Sequence, residues 1–381
     1  MASISTDAAV TTGAAEAESP EQAEIRALAR DFAASELRPH VERWDHERRI
    51  DEAVRAQLAE LGFFGISIPD RFGGMGLDDA AVSAIVQELA WGEPAVALVV
   101  SLQVQASGLL VQHGTDDQRT TWLERMATGD AHACLAFAED AGAEAEELRT
   151  TAQRAGDGYV LNGTKRWVTG AADATFALVL ARVDEGQGIF LVPMDASGVS
   201  IGQADDTLGL RSLPITSLIL KDCAVPADSL LGGTAAAADQ MASVAMHDQL
   251  CIASIAAGIA EAASEYAIGY ANEREQFGRK LRTFEGIQFK LAGMTTRTAA
   301  ARALLASAAL SGDAQRTRMA KVFSTETAMD VTTQAVQVYG GYGYMRDYPV
   351  EKLMRDAKAM EMLGGANELL RVAVAEALYR D

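Results

Sequence analysis

Residues 148–170 read LRTTAQRAGDGYVLNGTKRWVTG, and it is here that the pattern of the chain changes. Short β-type runs are separated by the turn dipeptides Asp157-Gly158 and Asn162-Gly163. Apolar, β-rich runs continue in ATFALVLARVD (174–184), GIFLVPMD (188–195) and SLILKDCAVP (217–226). On either side the period is helical. Val82, Ile85, Val86 and Leu89 recur at i, i+3, i+4 and i+7, which makes one apolar stripe on a helix. The loop DRFGGMGLDD before it carries Gly73, Gly74 and Gly76, and its Asp pair can cap the helix that follows. From about residue 239 the helical period returns in long Ala-rich runs and lasts to the C-terminus. Helices, a compact β domain and a helical bundle are therefore expected in that order, with boundaries at 20–135, 136–238 and 239–381. No internal repeat is visible.

The 381 residues carry 33 Lys+Arg against 53 Asp+Glu, a formal charge of −20. That balance argues against a nucleic-acid binder, which needs a basic footprint, and against attachment to an anionic membrane. No apolar run approaches the roughly 18 residues of a bilayer span. The first residues, MASISTDAAVTTGAAEAESPEQ, lack a basic region and contain several acids, so neither a signal nor a transit peptide is expected. Residues 1–19 read as a disordered tail. Cys134, Cys223 and Cys251 are odd in number and form no CxxC pair, which fits reduced thiols in the cytoplasm. The five His are scattered, so no metal site is expected.

Five segments then carry a resemblance: YVLNGTKRWVTG (159–170), DCAVPADSLLG (222–232), NEREQFGRKL (272–281), QVYGGYGYMRDYPVEKLMRD (337–356) and NELLR (367–371). In this order they resemble the acyl-CoA dehydrogenase family over essentially the whole chain after residue 20. The resemblance implies an α+β fold with an N-terminal helical domain, a β-barrel-like middle domain and a C-terminal four-helix bundle. It further implies FAD in a homotetramer built as a dimer of dimers. The reaction would remove the α-proton and the β-hydride of an acyl thioester, carried on CoA or on an acyl-carrier protein. Electrons would pass to an electron-transfer flavoprotein.

Carried over position by position, the resemblance places Trp167, Val168 and Thr169 at the flavin ring. Arg274 and Phe277 would reach the FAD of the neighbouring subunit, with the Arg fork on pyrophosphate. Gln337, Gly340 and Gly341 would meet the adenosine half, where Gly permits close backbone approach. Ala366 and Glu368 fall at a further flavin contact. The bland alternatives are a mixed surface strand for Trp167 and solvated helix ends for the others.

Three departures bear on chemistry. The usual TEPGAGSD-like segment is here Ala138-Glu139-Asp140-Ala141-Gly142-Ala143-Glu144, with both hydroxyls lost. Backbone N–H groups of Ala138, Gly142 and Ala143 remain available to the isoalloxazine. The catalytic carboxylate of the terminal YEGT-like motif falls on Gly364, in Leu363-Gly364-Gly365-Ala366, which keeps only a backbone N–H to polarise the thioester carbonyl. One branch of the family moves its base to the long helix, 26 residues before the Arg of R-x-x-F-G, and that count lands on Asp248. Cys251, Ile252 and Ile255 share its helix face, so its pKa is expected to be raised, as suits a base. The alternative is an ordinary acid near a helix start.

Gln249 stands where an Arg often contacts the pantetheine arm, and Leu363 lies beside it in the expected substrate region. Glu361 is a second candidate base and Glu139 a remote one. His247 points away from Asp248, and Arg371 reads as a structural ion pair. These changes suggest an unusual substrate, as in secondary metabolism. The alternatives are oxygen-using or elimination chemistry on the same fold, favoured by the missing base, or a flavin-binding protein without catalysis.

Overall fold

The computed structural model describes residues 19–140, 148–184 and 186–379. The chain enters at helix α1 (Pro20–Phe32), whose start is fixed by a capping box between Ser19 and Gln22 and by Pro at the first turn. After α2 (Val41–Glu47) and α3 (Glu52–Glu60), the expected cap is found: Asp78 accepts a bond from the Ala81 N–H and opens α4 (Asp79–Gly92). Helices α5 (Pro94–His113) and α6 (Asp116–Ala127) complete the first layer.

A seven-stranded sheet follows, made of β1 (Ala133–Ala136), β2 (Thr151–Ala155), β3 (Gly158–Thr169), β4 (Phe176–Val183), β5 (Gly186–Pro193), β6 (Val199–Ile201) and β7 (Ile215–Pro226). Its path is β1-β4-β2-β3-β7-β6, with β5 also paired to β4. Strand β4 reads as one apolar run because both its faces are covered. Phe176, Leu178 and Leu180 pack with Leu109, Leu110 and Met126 of the helices. Ala177, Val179 and Ala181 pack with Leu161, Val192 and Leu218 of the sheet.

Two expectations about turns are corrected. The β2–β3 connection is Gly156-Asp157, because Ala155 pairs with Gly158. Asn162-Gly163 is not a turn at all: it lies inside the continuous strand β3 at a register shift. A Cβ on Gly163 would overlap Thr150, and the Asn162 side chain accepts a bond from the Asp222 N–H at 2.8 Å.

The chain then forms α7 (Ala237–Glu273), a hairpin of β8 (Glu275–Gln276) and β9 (Arg279–Lys280), and helices α8 (Glu285–Ser311), α9 (Ala314–Tyr339), α10 (Pro349–Met360) and α11 (Asn367–Ala377). The largest core joins first and last layers: Ile85, Leu89 and Val96 meet Ile252, Ile255, Ile259 and Val331. A second correction concerns apolar length. Helices α5 and α7 are each long and apolar enough to cross a membrane by composition, yet 89% and 78% of those windows are buried inside the protein. They are core helices, apolar because neighbours surround them.

The YPVEKLMRD run is the tie between layers. Lys352 Nζ donates to Glu93 at 2.8 Å and to Asp356 at 2.7 Å, while Asp356 accepts from the Leu210 N–H. Arg355 forks onto Asp45 at 2.8 and 3.0 Å. Losing one partner of such a buried pair costs roughly 3–5 kcal/mol.

Candidate active site

The last residues of β3 are aimed by a bulge. The pairing with β7 slips between Lys165 and Val168, and Trp167 takes a left-handed conformation at φ 54°. A bulge re-aims side chains, and strain at a non-glycine residue is retained where the surroundings fix it. The Trp167 indole is thereby 49% exposed, although the neighbouring Val168 is buried. Thr169 is half-buried opposite Ile215. The Arg166 N–H donates to the Ala138 carbonyl at 2.9 Å, which sets Ala138 beside this strand. Gly142 and Ala143 lie outside the described residues.

Glu139 is not available for chemistry. Its carboxylate accepts from Lys165 Nζ at 2.8 Å and from the N–H groups of Arg149 and Thr150 at 2.7 and 2.9 Å. Burial raises its pKa, but these donors more than offset burial and bring it to about 2. Lys165 is fully buried and also donates to the Phe137 carbonyl. The pair fixes the entrance to the sheet.

A second group assembles where α7 ends. Tyr270, Arg274, Gln276, Tyr339, Gly340 and Gly341 line an open cleft of about 560 Å³. Among the described residues no ion pair claims the Arg274 guanidinium, which lies 5.2 Å over the Tyr342 ring. Helix α9 stops at Gly340, with φ 63° and ψ −135°, and neither Gly340 nor Gly341 has an atom where a Cβ would stand. The hairpin tip beside the cleft is Phe277-Gly278, with φ 52° and 75°, as a two-residue I′ turn requires. That turn holds the Phe277 ring 91% exposed. Gln337 is also exposed, one turn before Gly340. An unpaired guanidinium, a free peptide edge and an exposed ring suit a dinucleotide with a pyrophosphate. No β3 residue lines this cleft, so within one chain the two flavin-type groups remain separate.

The third group holds the carboxylate. Asp248 lies on α7, half-buried and crowded by protein. Gln105 of α5 donates its Nε2–H to Asp248 Oδ1 at 3.0 Å. Burial raises the Asp248 pKa to about 6, against the opposing charge of Lys321 and the Gln105 bond. Gly364 adopts φ 69°, and a Cβ there would lie 3.2 Å from Ile252 Cγ1 and 3.5 Å from Gln249 Cα. Gly364, the position to which the resemblance assigns the usual base, therefore rests on the turn of α7 that carries Asp248. Buried Gln249 and half-buried Leu363 border the same spot.

The remaining candidates are placed elsewhere or tied down. Glu361 is held by Lys358 at 2.5 Å, so its carboxylate is turned to a surface ion pair. His247 bonds the Ser243 carbonyl and nears Asp79, leaving Asp248 alone. Arg371 pairs with Glu326, as expected. Ala366 is the residue before α11, and Glu368 is exposed in that helix's first turn.

Two residues escaped the sequence reading. Gln105 interrupts the apolar run of α5, and Lys321 is fully buried in α9. A polar side chain in an apolar helical stretch was the available signal for Gln105, whereas the polar neighbours of Lys321 offered none.

Comparison with known proteins gives one consistent result. Family models match three successive stretches: acyl-CoA dehydrogenase N-terminal domain over 19–130, middle domain over 134–223 and C-terminal domain over 238–379. The chain is 33% identical to the probable acyl-CoA dehydrogenase FadE25 of Mycobacterium tuberculosis, covering 94% of this chain and 96% of that protein. It is 34% identical to the mitochondrial short-chain specific acyl-CoA dehydrogenase of Sus scrofa, over 93% of this chain and 89% of that one. The solved butyryl-CoA dehydrogenase of Megasphaera elsdenii superposes with a TM-score of 0.93 at 31% identity, covering 96% of this chain and 100% of that chain.

Proposed function

The chain belongs to the acyl-CoA dehydrogenase family of FAD-dependent oxidoreductases that act on acyl thioesters, and on that premise we propose that Asp248 is the base of its α,β-dehydrogenation. One observation carries this reading. Asp248 is a crowded carboxylate, oriented by Gln105, on the helix turn against which Gly364 packs. FAD, when bound, supplies the hydride acceptor.

The chain's own residues do the rest. Gln105 occupies Oδ1 and leaves Oδ2 to take the α-proton. With a pKa of about 6, Asp248 is ionised at neutral pH yet far more basic than an ordinary carboxylate. The Gly364 N–H is the donor for the thioester carbonyl, where negative charge grows as the α-proton leaves. Trp167 and Thr169 face the flavin ring, with the backbone of buried Val168 between them. Arg274, Phe277, Gln337, Gly340 and Gly341 hold the FAD of a neighbouring subunit in a homotetramer, with Ala366 and Glu368 beside them. Electrons leave to an electron-transfer flavoprotein in the cytoplasm. The thioester is carried on CoA or on an acyl-carrier protein, and Gln249 in place of a cation suits a less common substrate, such as one from secondary metabolism. The ranges 20–135, 136–238 and 239–381 are read as the three domains.

The test is an anaerobic titration of the holoprotein with a panel of acyl thioesters, following the visible flavin band. Bleaching by a thioester that is lost in Asp248→Asn is the expected result. Bleaching that survives the substitution would remove Asp248 as base. No bleaching by any thioester would turn the assignment to oxygen chemistry or to flavin binding alone.

A further inference from the structure

We propose that Lys321 is a positioning residue for this reaction: its ammonium pins the 361–367 loop to α9 and sets a positive charge within electrostatic reach of the Asp248 carboxylate. The inference rests on Asp248 being the base.

The geometry is a saturated ammonium. Lys321 Nζ donates to the Gly365 carbonyl at 2.6 Å, to Asn367 Oδ1 at 2.8 Å and to the Glu361 carbonyl at 3.2 Å. An ammonium has three donors, and all three go to one loop. The anchored atoms bracket Gly364, whose N–H has only one useful direction once its neighbours are fixed. Asn367 is itself held by Thr325, one turn along α9, where Asn367 Nδ2 donates to Thr325 Oγ1 at 3.0 Å. The loop that carries the carbonyl-polarising N–H is therefore fastened from below by a fully buried side chain. A structural lysine could be replaced by a packed apolar residue, because burying an unneeded charge is costly.

No donor is left for Asp248, so the influence there acts through space. The Lys321 charge opposes the burial that drives Asp248 towards its neutral form. Burial in turn lowers the Lys321 pKa to about 8, against the charges of Asp248 on α7, Glu361 after α10, Glu368 on α11 and Glu326 on α9 itself. The two groups thus titrate on either side of neutrality. Asp248 must lose its proton for activity, which gives an acid limb near pH 6. Lys321 loses its proton above about pH 8 and with it one of the three loop bonds, which gives a decline on the alkaline side.

The experiment measures anaerobic flavin reduction from pH 5 to 9.5 in the holoenzyme and four variants. It is paired with the absorption of a bound 3-arylacryloyl thioester, whose band moves to the red as its carbonyl is polarised. Lys321→Met should move the acid limb up by roughly one pH unit, because an opposing charge is lost. It should abolish the alkaline decline, lower the rate at pH 7 about tenfold and shrink the red shift. Lys321→Gln keeps a donor without the charge, so the acid limb should move while more of the red shift survives. Should neither fold, Asn367→Ala removes one anchor and leaves the ammonium, so the red shift shrinks with the acid limb in place.

Asp248→Asn separates the two assignments. It should erase the acid limb and leave the red shift intact. An acid limb that persists in Asp248→Asn overturns the base. An acid limb that vanishes there but stays put in the Lys321 variants, with a full red shift, overturns the role of Lys321.

Discussion

Replacing Asp248 by Asn should stabilise the protein while disabling it, and the size of the gain follows from the site. The carboxyl titrates at about 6 in the folded chain against a usual 3.8, chiefly because burial disfavours its charge. Two pKa units at 1.36 kcal/mol each make the ionised form cost about 3 kcal/mol, an upper figure because the side chain still reaches solvent. The sign follows from proton uptake. Between about pH 4 and 6 the folded state binds more protons than the unfolded one, so stability falls as pH rises through that window. Above pH 6 the whole cost is present. Asn has the same shape and never ionises, but it leaves Lys321 without its nearby negative charge and must re-form the Gln105 bond. A gain of about 1–2 kcal/mol is expected at pH 7.5, shrinking to nothing near pH 4. Urea or thermal melts of wild type and Asp248→Asn holoprotein across pH 4–8 measure it. An Asn variant less stable than wild type at pH 7.5, or a difference flat in pH, would refute the reasoning.

Glu139→Gln should behave in the opposite sense. The pKa of Glu139 is held at about 2, so its stabilisation is complete above the usual carboxylate range and fades as pH falls towards 2. The substitution leaves buried Lys165 without a counter-charge, so melts should show a loss of roughly 3–5 kcal/mol at pH 7 that narrows below pH 4. Phe277→Asn suits the left-handed hairpin tip better than Phe does, so the fold should be unharmed or firmer by a few tenths of a kcal/mol. Its exposed ring is lost, however, and flavin retained after dialysis should fall several-fold.

What was legible in the sequence was what is local. The stripe of Val82, Ile85, Val86 and Leu89 is buried as one face, and Asp78 caps that helix as its position suggests. The strand runs were legible because β4 is covered on both sides. Asn162-Gly163 was misread because Asn-Gly between apolar runs is an ordinary turn signal. Here the Asn side chain instead serves β7, and the Gly makes room for Thr150. Asp248 was singled out as a candidate by counting along one helix. Its supports were not, since Gln105 and Lys321 are distant in sequence and belong to other helices. Their polarity was visible, but only packing shows which carboxylate or carbonyl answers it.

The glycine at 364 and the aspartate at 248 are one arrangement and not two changes. Ile252 stands one helical turn after Asp248, and its Cγ1 would lie 3.2 Å from any Cβ at position 364. That distance crowds a side chain there, and φ 69° strains any residue but glycine. With that position crowded, the carboxylate proposed as base comes instead from α7, from the turn on which Gly364 rests. The contribution proposed for the loop is the Gly364 N–H, which needs a backbone that is held still. Lys321 supplies that restraint from the opposite helix, which explains why a charged side chain is fully buried in α9 beneath a loop of two glycines. The proposed proton acceptor, the proposed carbonyl donor and the buried ammonium thus come from α7, the 361–367 loop and α9.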